Sequence, residues 1–205
     1  MVQKNPRGRP RSFDTDQVLG SVRDAFWRHG FAGTSMDQLA AVTGLHKPSL
    51  YGAFGDKRRL YRETLDRYLA EVGEQLGAAL SQPKLVDSLS ELAARAILLY
   101  TRSGPNGCFM MATAVPEAGD DEEIQAVVRG TMEGLERVLA RRFQQAIEDG
   151  EIDPQADPEA LAMLVAAQHY DMSARARAGY TVAQLQARAA RNLDLVKKVS
   201  GMLGD

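Results

Sequence analysis

The chain reads as an all-α protein of about nine helices. Three observations predict this. Apolar residues recur at helical spacing along most of the 205 residues. No stretch alternates apolar and polar residues long enough to argue for a sheet. Residues that start and stop helices punctuate the pattern at each expected end.

Residues 1–13 carry Lys4, Arg7, Arg9 and Arg11 among Pro6, Gly8 and Pro10, the composition of an extended arm. Asp14 stands where an N-cap is expected, and Val18, Leu19, Val22, Ala25 and Phe26 follow at helical spacing until Gly30 stops the run. Ser35-Met-Asp-Gln38 is a capping box opening a short helix that ends at Gly44. A third short helix is expected over 47–54, with Pro48 in a first turn that needs no backbone donor. A longer helix begins at Lys57, carries Leu60, Leu65, Leu69, Val72, Leu76 and Leu80, and is broken by Pro83. The next covers about 85–102, before the turn Ser103-Gly-Pro-Asn-Gly107. A short apolar segment at 108–117 precedes a helix over about 121–149, closed by Gly150. Asp157-Pro158 opens a helix to about 178, and the capping box Thr181-Val-Ala-Gln184 opens the last, to about 203.

The formal net charge of −2 conceals an asymmetry: residues 1–62 hold 11 Lys and Arg against 5 Asp and Glu, while 63–205 hold 14 against 22. A basic first third on an acidic body suggests that one end meets a polyanion. One cysteine excludes an intrachain disulfide and fits a reducing compartment. The basic residues at the N-terminus are not followed by an apolar run, so no secretory signal is expected. The apolar stretch Leu92 to Tyr100 is interrupted by Arg95 and too short to span a bilayer. His29, His46 and His169 lie far apart and show no metal-ligand spacing. There is no phosphate-binding loop, dinucleotide fingerprint or nucleophile with a recognisable base partner. No enzyme, cofactor, metal site or membrane association is expected.

The two short helices meet through Leu39-Ala-Ala-Val-Thr-Gly-Leu-His46, where small residues permit close approach and Gly44 can take the left-handed conformation. This is the layout of a helix-turn-helix, whose second helix enters the DNA major groove, although two-helix corners also occur in structural domains. Gly30-Phe-Ala-Gly-Thr-Ser35, Leu39-Ala-Ala-Val-Thr-Gly-Leu45, Ser49-Leu-Tyr-Gly-Ala-Phe54, Asp56-Lys57 and Leu60 together resemble the N-terminal domain of TetR/AcrR-type regulators over residues 12–62. The resemblance implies an arm over 1–13, a helix-turn-helix DNA-binding domain over 14–62 and a helical ligand-binding and dimerisation domain over 63–205. It also implies roles. Thr34 and Ser35 would offer hydroxyls to phosphate, with help from a helix N-terminus. Lys47, Pro48, Ser49 and Tyr51 would fall on the recognition helix, Lys47 and Ser49 toward base edges and Tyr51 toward the DNA backbone. Lys57 would pair with phosphate. The chain departs from the family pattern in having Pro48 where glycine is common, His46 where a capping serine is common and Gly52 where a larger side chain often stands; base preference is what these departures affect. Arg7-Gly8-Arg9-Pro10 also resembles an AT-hook core, which with Arg11 would reach a minor groove; a solvated basic tail is the alternative.

In the second domain, Tyr100, Phe109, Met110, Met111, Met132, Met163, His169 and Met172 are the candidates for an effector pocket, since methionines suit an adaptable apolar wall; ordinary core filling is the alternative for each. Cys108 follows Gly107 at the start of a short helix, where a helix dipole could lower its pKa and make it a sensor thiol; a small buried side chain is the alternative. The resemblance implies a cytoplasmic, nucleoid-associated homodimer, paired through the last two helices, that represses by binding a palindromic operator in double-stranded DNA and is released by a small-molecule effector. The competing readings are a regulator sensing oxidants or electrophiles through Cys108, and a helical carrier or enzyme with a vestigial DNA-binding head.

Overall fold

The computed structural model describes residues 13–102, 104 and 106–202. Among them there are nine α-helices and no strand: α1 (Thr15–His29), α2 (Met36–Thr43), α3 (Lys47–Phe54), α4 (Lys57–Leu80), α5 (Leu85–Thr101), α6 (Phe109–Thr113), α7 (Glu122–Glu148), α8 (Pro158–Arg177) and α9 (Val182–Ser200). Arg7, Arg9 and Arg11 lie outside the described residues. The chain divides into two compact units, Met1–Thr64 and Leu65–Asp205, with the division inside α4.

Local chemistry explains the helix ends. Asp14, Asp121 and Asp157 each accept two first-turn amides of the helix that follows, and Ser35 and Thr181 form complete capping boxes with Gln38 and Gln184. The last helix was expected to run to about 203. It stops at Ser200, where Gly201 turns into the left-handed conformation and donates its amide to the Lys197 carbonyl.

In the first unit, α1 buries Val18, Leu19, Val22, Ala25, Phe26 and Trp27. Leu39 from α2, Leu50 and Phe54 from α3, and Leu60 and Tyr61 from the start of α4 are buried in the same unit. Phe26, Phe31 and Tyr61 form an aromatic cluster with ring centroids 5.0–6.0 Å apart.

In the second unit α8 packs against α5, α7 and α9, and therefore buries an unusually broad surface. One core cluster joins Leu85, Leu89 and Leu92 of α5, Leu139 and Phe143 of α7, Leu161 and Val165 of α8 and Val196 of α9. A second holds Ile97 and Tyr100 of α5 with Met172 and Ala176 of α8 and Leu185 of α9.

One buried polar network crosses these elements. Lys84, at the N-cap of α5, gives no side-chain cap. The need is met from a distance: Glu151 accepts the Leu85 amide at 2.6 Å. The same carboxylate pairs with Arg142 at 3.3 Å, both side chains being about nine-tenths buried, and Arg142 donates to Ser88 Oγ at 3.2 Å. Removing one member leaves a buried charge and an uncapped helix. Glu151→Ala is therefore expected to lower the unfolding free energy by about 3 kcal/mol, measured by chemical denaturation. A loss below about 1 kcal/mol would place the pair among exposed, weakly contributing ones.

Candidate functional site

The first unit presents α3 on its surface. Eight residues are too few for a helix to hold itself in water, and α3 is anchored by Leu50 and Phe54, which are 0% and 1% exposed. Lys47, Pro48, Ser49, Tyr51 and Gly52 are exposed on the remaining surface, Tyr51 at 50%. His46 at the N-cap makes no side-chain cap bond, and little is left to cap: Pro48 has no amide hydrogen and the Ser49 amide donates to the His46 carbonyl at 2.9 Å. Lys47 Nζ is paired with Asp37 of α2. The Lys47 ammonium is thus held beside the α2 N-terminus and not extended freely into solvent.

Ser35 is exposed at the start of α2, with its Oγ accepting the Gln38 amide at 3.2 Å and its own amide donated to Gln38 Oε1 at 2.7 Å. The box leaves the amides of Met36 and Asp37 directed out of the helix end. Thr34 is placed differently from the expectation. It is 2% exposed, and its hydroxyl donates to the Gly30 carbonyl at 2.7 Å, so it braces the loop and does not offer itself to a phosphate. Lys57 also acts on that loop. Its Nζ donates to the carbonyls of Phe31 and Thr34, both at 3.0 Å, and lies 4.2 Å from the centre of the Phe31 ring. Two of its three donors are used within the chain, leaving one for a phosphate. Gly33 completes the loop: a Cβ there would collide with the His29 carbonyl oxygen.

The second unit contains a cavity of about 400 Å³ lined by α4, α5, α7, α8 and the segment around α6. Its wall is mostly apolar, with Leu69, Val72, Leu76, Leu92, Leu99, Met110, Met111, Leu135 and Val138. Of the residues expected at a pocket, the structure brings Tyr100, Met110, Met111 and His169 to this wall, together with Cys108. Four others lie elsewhere. Phe109 is fully buried and packs edge-on against Tyr68 at 5.3 Å. Met172 is packed with Ile97, Ala176 and Leu185. Met132 follows Thr131, which lines the cavity, and one residue of rotation along α7 carries it off the wall. Met163 is 60% exposed. The wall residues absent from the sequence expectation include Tyr68, Thr131, Gly134 and Tyr170. Gly73 and Gly77 of α4 also border it, both exposed, and a Cβ at either meets nothing within 4 Å, so no side chain closes that edge.

For Cys108 the structure favours the buried-side-chain alternative over a lowered thiol pKa. Burial pushes the thiol pKa up, and hydrogen bonds from Tyr68 and from the Met111 and Met110 amides only partly oppose that. Helix α6 has five residues, with Cys108 as its N-cap, too short to supply the dipole on which a lowered value depended. Tyr68 donates its hydroxyl to Cys108 Sγ at 3.5 Å, and the Cys108 amide donates to Ser173 Oγ at 2.8 Å.

His169 is held neutral. Burial lowers its pKa, and the carbonyls of Val165, at 3.1 Å, and of Leu92 offset this only in part. Its ordinary value near 6.5 applies in the unfolded chain. The stability that neutral His169 contributes is complete above that pH and is lost as the pH falls toward the lower folded value. The melting temperature is therefore expected to drop more steeply between about pH 7 and about pH 5 in the wild type than in His169→Gln. Superimposable profiles in thermal unfolding would contradict this assignment.

Comparison with known proteins bears on both regions. Residues 22–64 match the family of bacterial regulatory proteins described as tetR family, and residues 86–192 match the tetracyclin repressor-like C-terminal domain. The HTH-type transcriptional repressor ComR of Escherichia coli (strain K12) is 33% identical over 195 residues, covering 94% of this chain and 93% of its own. The HTH-type transcriptional repressor BdcR of the same organism is 27% identical over 200 residues, covering 96% of each chain. A cysteine-substituted form of the TetR family transcriptional regulator CifR, solved in complex with 26 bp double-strand operator DNA, superposes with a TM-score of 0.81 at 30% identity, covering 91% of this chain and 98% of that one. From an exposed, capped helix-turn-helix in one unit, an apolar cavity in the other, helical unit, and relatives matched along nearly their whole length, it follows that this chain belongs to the TetR family of bacterial transcriptional regulators.

Proposed function

We propose that the chain is an effector-responsive transcriptional repressor that binds a palindromic operator as a homodimer, with the DNA-binding domain in residues 14–62 and the effector and dimerisation domain in 63–205. The observation that carries this is α3, which commits Leu50 and Phe54 to the core and leaves Lys47, Pro48, Ser49 and Tyr51 on one exposed surface. An α-helix so presented fits a major groove. Lys47 and Ser49 read base edges, Lys47 with a preference for guanine. Tyr51, Ser35 and the remaining Lys57 donor position the head on phosphates. Arg7, Arg9 and Arg11 extend the contact into a minor groove.

Two heads are needed because one short helix touches too few bases for a tight site, and a two-fold dimer matches a palindrome. Pairing through α8 and α9 is supported by apolar side chains that stay exposed on them: Met163 at 60%, Leu195 at 45% and Val199 at 54%. Effector in the cavity of the second unit favours a different setting of α4, one wall of that cavity, and so lowers operator affinity; it must bind one state better than the other for anything to shift. Among the described residues no helix is long and apolar enough to cross a membrane, in keeping with action at DNA in the cytoplasm. The thiol-sensing reading is weakened by the raised pKa of Cys108.

Titration against its own upstream DNA at increasing salt tests the reading. Wild type is expected to bind saturably and to weaken steeply with salt. Lys47→Ala, at an exposed position, should keep the fold, lose about tenfold in operator affinity and relax the base preference at the position it reads. Equal, weak binding of both proteins to any sequence would remove α3 from the interface.

A further inference from the structure

The cavity wall is mostly apolar; Gln75, Arg95, Thr131 and His169 also line it, and the His169 Nε2, like the Tyr170 hydroxyl, is buried without a hydrogen-bond partner. The side chains of Tyr68, Tyr100, Cys108 and Tyr170 all line it and lie close enough that each tyrosine's ionisation is disfavoured by a neighbour. Tyr68 is occupied: it donates to Cys108 Sγ at 3.5 Å and accepts the Phe109 amide at 3.3 Å. Tyr170 is not, since its hydroxyl is buried without a hydrogen-bond partner. Such a group costs stability as it stands and gains when an acceptor reaches it. Tyr100 shares the wall with it, 8% exposed, on the facing helix α5.

Burial, first of all, keeps Tyr68, Tyr100 and Tyr170 protonated. They are therefore neutral donors of O–H. The charges nearby do not invite an ion. Arg95 is the cation on the described wall, and its Nε is paired with Glu91 at 2.6 Å. The nearest acid to Tyr170 is Glu136, whose charge already disfavours a second anion there. An anionic ligand would have to compete with Glu91 for Arg95, and a cationic one would find no carboxylate on the wall.

We propose that the effector is an uncharged, largely apolar molecule whose hydrogen-bond-accepting oxygen, that of a ketone, aldehyde or ether, is seated by the hydroxyls of Tyr100 and Tyr170. This rests on the cavity being the effector site, and it names the chemistry that site selects. The apolar walls supply affinity, and the two phenols supply orientation and discrimination. A molecule with the same outline and no acceptor leaves the Tyr170 hydroxyl unbonded, and an acid of the same outline also brings a charge that must compete with Glu91 for Arg95.

The test uses the full-length protein and three probes of matched shape: benzophenone, diphenylmethane and diphenylacetate, titrated calorimetrically. Benzophenone is expected to bind about tenfold more tightly than diphenylmethane, as one or two neutral hydrogen bonds supply, and diphenylacetate more weakly than both. In the double variant Tyr100→Phe with Tyr170→Phe, which keeps the ring packing, benzophenone and diphenylmethane should bind equally. Gly134→Phe, which places a ring in the cavity, should abolish binding of both. Equal binding of benzophenone and diphenylmethane to the wild type, or tighter binding of diphenylacetate, overturns the proposal while leaving the cavity as a ligand site. Failure of all three to bind overturns the cavity reading and the proposal together.

Discussion

The head of this protein depends on keeping a two-turn helix rigid while most of its surface faces solvent. Burying Leu50 and Phe54 contributes roughly 1.5–3 kcal/mol each, and that is nearly all the packing α3 receives from its own side chains. The rest of the first unit secures what those two residues cannot. Gly44, in the left-handed conformation with φ +67°, sets the turn between α2 and α3. The Ser35–Gln38 box fixes where α2 begins. Lys57 ties the preceding loop to α4 through the carbonyls of Phe31 and Thr34. The aromatic cluster of Phe26, Phe31 and Tyr61 lies behind that tie. The loop clamp and the recognition surface are thus one construction, and loosening the loop would blur the position of α3.

The second unit meets the opposite requirement, since it must leave space in its interior. Well-packed helices do not normally leave some 400 Å³ open. Here the space persists because Gly134 and Thr131 present little volume from α7, and Gly73 and Gly77 present none from α4. Around it the structure is firmly braced. Tyr68 is held between Cys108 and Phe109, the α6 segment is pinned to Ser173, and the Glu151–Arg142 pair secures the start of α5. One continuous helix, α4, carries Lys57 and Tyr61 in the first unit and Tyr68 and Val72 in the second.

The fold was legible because its determinants are local. Asp14, Asp157, Ser35 with Gln38, and Thr181 with Gln184 announce helix starts by chemistry that acts over three residues, and the structure uses each one as a cap. The cavity was legible only in part, because residue type does not reveal which face of a helix is opposed by empty space. Met172 and Met111 have the same side chain; one fills a core and the other lines the cavity. Tyr68 and Tyr170 carried no signal beyond their helical spacing. A pair of glycines four apart inside α4, each costing about 1 kcal/mol of helix propensity relative to alanine, was the clue available in the sequence. Thr34 and Cys108 show a related limit, Cys108 taking the buried alternative that its sequence also offered. A hydroxyl at a helix start can be captured by a carbonyl four residues back, and burial outweighs the dipole of a five-residue helix.

The central claim is that occupancy of the cavity and occupancy of DNA oppose each other through this one chain. The most direct test is thermodynamic reciprocity. The affinity for the upstream DNA would be measured with the cavity empty and saturated, and the affinity for the same cavity ligand with DNA absent and saturating. The account predicts that both weaken, by the same factor, in the range of about 5- to 150-fold. Unchanged affinities in both directions would show that the cavity and the DNA-binding head act independently, and the proposed mechanism of release would be wrong.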